Sequence, residues 1–222
     1  MQGRRPVRPA PGDEGLPVVD DADVERLAAA ARALPPVEGS TTERDFVANV
    51  FVTVLDYQQR TVVVDRALEH ARRTRIRTLR GLERTLARFP DDRAGNEALA
   101  LHLWGYRLWT RAAQLRGLCA FFRDAGVVDE RSLESWAHGS EFGRDFEGRV
   151  KGLGRAVYES LVMRAGVDTV KPDVHVRRFA EAAVGRRLND ADLVEAVARA
   201  AARLELRAAE LDLQIWTASA SA

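Results

Sequence analysis

One cysteine, Cys119, stands in 222 residues. A lone thiol closes no intrachain disulfide, and it cannot hold an iron–sulfur cluster, which takes about four thiolates. The four histidines are scattered, none paired at ligand spacing, so no zinc motif is present. No apolar run reaches membrane-spanning length, because Arg, Asp and Glu interrupt every candidate. Met1 to Gly15 is rich in Pro and Arg and lacks the apolar stretch of a secretory signal, so the expected location is the cytoplasm. No cofactor and no membrane association are expected. A formal net charge of +1 removes any bulk-charge argument for nucleic acid. Lysine is scarce as well: the chain has only Lys151 and Lys171, and its other basic residues are arginine.

What is present reads as a globular chain, with 46% apolar and 30% charged residues. The length suits one large domain or two packed lobes. Residues 1–18 read as a disordered arm, and residues 19–222 as an all-α domain. A first helix is expected from about Asp21 to Leu34, capped by Asp20 or Asp21 and ended by Pro35 and Pro36. Ser40-Thr41-Thr42-Glu43 has the pattern of a capping box. It is expected to open a helix carrying Phe46, Val47, Val50, Phe51, Val54 and Leu55 at helical spacing. Thr61 to Val64 has strand propensity but lies among helical patterns and reads as helix. The next helix is expected from about Val63 to Phe89. Leu108, Ala112, Leu115, Cys119 and Phe122 form a further apolar stripe ending at Gly126. Later helices are expected over about 155–165, 174–184, 190–204 and 207–217. Two-residue alternation occurs nowhere.

Val150-Lys151-Gly152-Leu153-Gly154-Arg155 is expected between two helices. Two glycines one residue apart allow a tight turn whose amides point outward at the start of the next helix. Such a helix N-terminus is a phosphate site that needs no side-chain charge. Lys151 and Arg155 would add charge beside it. The same hexapeptide also reads as an ordinary glycine turn between helices. Asp173 lies 19 residues after Gly154, in Lys171-Pro172-Asp173-Val174-His175-Val176-Arg177-Arg178-Phe179. It reads as a simple N-cap. It also reads as a carboxylate whose charge the helix dipole favours, able to stabilise an oxocarbenium-like transition state and orient water.

Together the hairpin and the Asp segment resemble the core of the helix-hairpin-helix DNA glycosylase superfamily, the endonuclease III and adenine-glycosylase group. Leu55-Asp56-Tyr57-Gln58-Gln59-Arg60-Thr61-Val62 is similar to that family's segment whose Gln enters the duplex. Tyr106 to Ala112 is similar to its Tyr-Asn-x-Lys-Ala helix start, and Leu211 to Trp216 to its final helix. The resemblance covers about residues 42–217, with its core in 140–185. It implies a two-lobed helical fold with a DNA-binding cleft, Asp173 as catalytic aspartate and Gly152 and Gly154 as the phosphate hairpin. Gln58 is implied as the wedge. Lys151, Arg155 and Lys171 become DNA-binding candidates, and Tyr57, Gln59, Trp109 and His175 candidates for the base pocket. His175 reads rather as a residue that supports or packs the site than as a catalytic one. No metal is needed, although the resemblance allows an alkali ion bridging hairpin carbonyls and phosphate.

The chain also departs from that family. The lysine that makes a Schiff base in strand-cutting members has Ala156 at its position. The Glu that assists purine protonation in the adenine branch has Val54. The C-terminal four-cysteine cluster is absent. The expectation is a monofunctional glycosylase acting on DNA as a monomer, releasing either an oxidised or alkylated base in repair or a hypermodified phage base, such as glucosylated hydroxymethylcytosine, in antiviral defence. A non-catalytic DNA-binding module and a helical protein–protein adaptor are the rivals. The segment from Gln58 to Arg111 is longer than the family spacing and carries Arg73, Arg77, Arg80, Arg84 and Arg88, expected along one helix face. That face reads either as solvated or as a phosphate-tracking stripe. Trp104, Tyr106 and Trp109 read as core or as a stacking platform.

Overall fold

The computed structural model describes residues 19–39, 41–56 and 61–220. Among the described residues there are eleven α-helices, one short π turn and no strand, so the all-α expectation holds. None of these helices is long and apolar enough to cross a membrane. The chain divides into two compact units, one of residues 38–171 and one that combines the residues before 38 with those from 172 onward.

In the split unit, α1 (Asp21–Ala31) packs against α9 (Val174–Val184) and α10 (Asp190–Arg203), and α11 (Ala208–Ala220) packs against both α9 and α10. The Asp20 cap is as expected, and α1 ends at Ala31, short of the expected Leu34. The Asp20 carboxylate accepts the Asp23 amide to open α1, Asn189 caps α10, and Gly185 in the left-handed region ends α9. Leu27, Leu193, Val197 and Leu211 fill the interior. Asp23, almost fully buried, is held by Arg26 and Arg186.

The contiguous unit is built around α2 (Phe46–Leu55). Eight of its ten residues are buried, and it packs against α3 (Thr61–Arg73), α6 (Trp109–Asp124) and α8 (Arg155–Arg164). A helix apolar on nearly all sides must be central. Its start differs from expectation. Asp45 caps α2 by accepting the Val47 and Ala48 amides, and Glu43 accepts the amide of Asp45; Ser40 of the expected box lies outside the described residues. Arg164 on α8 donates to Asn49 Oδ1 at 2.9 Å and Thr53 Oγ1 at 2.8 Å on α2, tying the two helices together. Burial pushes this guanidinium down to about 10, with the Asp56 and Glu43 carboxylates acting in the opposite sense.

Thr61 does begin a helix, but the single helix expected over 63–89 is two. After α3 the chain passes through Arg75, whose φ is +56°, and restarts as α4 (Leu79–Leu86) under a Thr78 cap. Two further helices, α5 (Arg93–Trp104) and α7 (Glu130–Gly139), were not expected from the periodicity. Both carry Asp caps, Asp92 and Asp129, and α5 stops at Gly105, φ +76°. Phe121, Phe122, Trp136, Phe146 and Tyr158 then form an aromatic cluster, with ring centroids 5.4–6.4 Å apart, under the segment that leads to the hairpin.

Candidate active site

The hairpin is anchored from below. Val150 and Leu153 are buried, and the Leu153 amide donates to the Val150 carbonyl at 3.2 Å, closing a turn. Gly152 sits in that turn with φ +82°, and a Cβ there would stand 2.7 Å from Gln114 Nε2 on α6. The positive φ is what favours glycine here, since the Gln114 amide is the end of a flexible side chain and can move aside. Gly154 is different: it is extended, with φ −101° and ψ −168°, and nothing lies within 4 Å of where its Cβ would be. It opens α8 without any side-chain cap. The first amides of α8 thus have no side-chain cap, beside exposed Gly154 and Lys151. Uncapped amides at the positive end of a helix dipole attract an anion.

One detail corrects the expected picture and two add to it. The element leading into the hairpin is a five-residue π turn, Phe142–Phe146, rather than an α-helix. Arg155 is held by its own surroundings: its guanidinium lies 4.7 Å above the Phe142 ring and 3.3 Å from Glu159. Lys171 pairs with Asp56 at 2.7 Å. Both cations thus have protein partners, and Lys151 in the turn is exposed. The sequence reading missed Glu159, a buried carboxylate on α8 that accepts from Arg155 and, at 2.9 Å, from Thr169 Oγ1. Its spacing four residues after Arg155 was the available signal.

Asp173 caps α9 as expected. One oxygen, Oδ1, accepts both the His175 amide at 2.9 Å and the Val176 amide at 3.1 Å. The residue is half-buried, and Val174 beside it is 52% exposed, so the start of α9 is open to a ligand. His175 packs edge-on against the Trp216 ring at 6.5 Å, the packing role that was its alternative reading. Ala156 stands on the first turn of α8, where no amine is available.

The remaining candidates are distributed. Tyr57, Gln58 and Gln59 lie outside the described residues. Trp109 is 36% exposed at the start of α6, with the Arg93 guanidinium 5.6 Å from its ring centroid. Trp104 is fully buried against Phe51 and offers no free ring face, and Tyr106 packs partly buried on the same core. The arginines do not form one helix face. Arg73 ends α3, Arg77 lies in the connection, Arg80 and Arg84 are on α4 and Arg88 follows it. Among the described residues no group of His, Cys, Asp or Glu could hold a metal ion.

The geometry defines an all-α protein with a glycine-opened helix end and a carboxylate-capped one. The chain belongs to a family described as a domain of unknown function (DUF8548), whose model matches residues 110–220, half of the chain. No curated protein and no solved structure matches it.

Proposed function

We propose that this protein is a monofunctional DNA glycosylase with the two-lobed helix-hairpin-helix architecture, one that takes a damaged or modified nucleotide out of the duplex and hydrolyses its N-glycosidic bond. Asp173 carries the reading. Its carboxylate stands at an accessible helix start, oriented by two backbone amides, in the chain position where the resemblance has the catalytic aspartate. Gly154 supports it. A glycine without contacts at an uncapped helix start has no packing reason to be glycine, but a phosphate drawn up to the α8 amides needs that space.

The chemistry follows from those groups. The α8 amides and Lys151 hold a backbone phosphate. The bond from C1′ to the base nitrogen breaks with its electron pair leaving on the base, and the negative Asp173 carboxylate stabilises the positive sugar. Water then adds to C1′ and Asp173 takes the proton it loses. With Ala156 in place of an amine, no Schiff base forms and the strand stays intact. Of the turn's carbonyls, those of Val150 and Gly154 already accept backbone amides, and no step is assigned to an alkali ion. The substrate is an oxidised or alkylated base, or a hypermodified base of phage DNA.

The test is incubation with DNAs carrying oxidised, alkylated, deaminated or glucosylated bases, with released bases read by mass spectrometry. Release of one class, with strand breaks only after alkali, is the expected result. Salt-sensitive DNA binding with no release from any of them would instead fit a non-catalytic module.

A further inference from the structure

Arg75, Arg77, Arg84 and Arg88 line one open depression, with Gly81 and Thr85 at its floor and no carboxylate in its lining. The connection between α3 and α4 creates it. Arg75 takes a left-handed backbone, φ +56°, which turns the chain so that Arg75 and Arg77 stand beside Arg84 and Arg88 of α4 and its end. All four side chains are exposed. The acids nearby are engaged at its margin or elsewhere. Glu83 pairs with Arg123 at 3.6 Å, Glu69 with Arg73 at 3.2 Å, and Asp45 caps α2 while lying 4.0 Å from Arg77.

Four like charges around one concavity repel, and a non-glycine residue at positive φ costs conformational energy. The turn carries Ile76 onto the core, while the four guanidinium groups stay exposed. Such a focus of positive potential gathers anions, and guanidinium forks match phosphate oxygens in pairs. A small phosphate metabolite calls for a pocket that encloses it. This depression is open and its cations stand on the rim, which suits successive phosphates of a chain arriving from solvent. We infer that the α3–α4 arginines bind the phosphodiester backbone of DNA, as a second contact besides the hairpin. The inference rests on the proposed function for the identity of the polyanion. It concerns residues outside the 110–220 family match.

The test is binding of a short plain duplex, followed by fluorescence anisotropy across a salt series. Wild type is compared with the combined Arg75→Asn, Arg84→Ala and Arg88→Ala variant. Asparagine tolerates the left-handed backbone and alanine keeps the helix. The slope of log affinity against log salt is expected to fall by about 2 to 3, since each phosphate contact contributes about 0.9. Arg84→Gln alone, on an exposed helix position, is expected to lower it by about 1. An unchanged slope in variants that melt like wild type overturns the inference. So does binding of inorganic phosphate at these arginines with no effect of the variants on the DNA slope, which would make the depression a small-anion site. Base release that is indifferent to Asp173→Asn, together with the expected fall in slope, would remove the catalytic assignment and leave the DNA surface standing.

Discussion

Lys171 Nζ lies 2.7 Å from Asp56 Oδ2, joining the end of α2 to the last residue of the contiguous unit across 115 positions of sequence. The pair is partly shielded, with side chains 21% and 35% exposed. It fixes the chain two residues ahead of Asp173. Lys171→Met and Asp56→Asn should each cost about 1 kcal/mol. In a double-mutant cycle by urea denaturation the losses should be less than additive, and full additivity would show that the pair contributes nothing.

The two hairpin glycines should respond oppositely to a methyl group. Gly152→Ala must hold a φ of +82° and push the flexible Gln114 amide aside, so it should destabilise the fold by about 1 to 2 kcal/mol, chiefly through the backbone. Gly154→Ala meets nothing within 4 Å and an ordinary φ, so thermal unfolding should barely change. DNA affinity should nevertheless drop, because the methyl occupies the approach to the α8 amides. A Gly154→Ala variant that binds DNA like wild type would count against the phosphate role.

Arg164 holds α8 to α2 through Asn49 and Thr53, and also donates to Ser160. Arg164→Met removes those bonds and leaves buried polar groups unpaired. The expected loss is about 2 to 4 kcal/mol in denaturant unfolding. Arg164→Lys should recover only part of it, because an ammonium cannot reproduce the planar fork.

Acid should unfold the protein through identified carboxylates. Burial pushes Asp23 up, but hydrogen bonds from Arg186, the Asp20 amide and Arg26 outweigh it and hold the carboxyl below its usual range. Asp129, through Ser132, and Asp145, through Arg144, are also held low. Groups whose folded pKa is depressed contribute stability above their unfolded value and lose it as pH falls through the folded one. Stability should therefore decline below about pH 4. Asp23→Asn should be less stable than wild type at neutral pH and should lose less on acidification. Parallel pH profiles for the two proteins would contradict this assignment.

Cys119 is buried on α6 and its thiol is pushed up to about 12, chiefly by burial. At pH 8 a thiol reagent should modify it only as fast as the protein unfolds, and at once in denaturant. Rapid labelling of the native protein would mean that the α6 core opens.

The sequence was most readable where caps and stops are explicit. Asp20 and Asp173 open helices and Gly126 closes one, and the elements from α8 onward lie close to where the pattern puts them. It failed at Arg75, because Thr74-Arg75-Ile76-Arg77-Thr78 contains neither Gly nor Pro and its left-handed residue is an arginine. The arginine spacing of three and four was thus a false helix face, and the residues regrouped around a depression. The π turn ahead of the hairpin has no sequence signature. Asp56, the partner of Lys171, and Asn49 and Thr53, the α2 partners of Arg164, lie more than a hundred residues away, where no local pattern points to them. Asp173 as a cap was legible from its place after Pro172, and the α9 amides fulfil it.

The central claim is that Asp173 drives base removal. The most direct measurement is single-turnover cleavage of a modified duplex, with and without alkali, for wild type and Asp173→Asn at matched, saturating protein. The account predicts that wild type yields strand breaks only after alkali. It predicts that Asp173→Asn binds the duplex with similar affinity and loses base release by at least about a hundredfold. Equal release by the two proteins, or strand breaks without alkali from wild type, would contradict it.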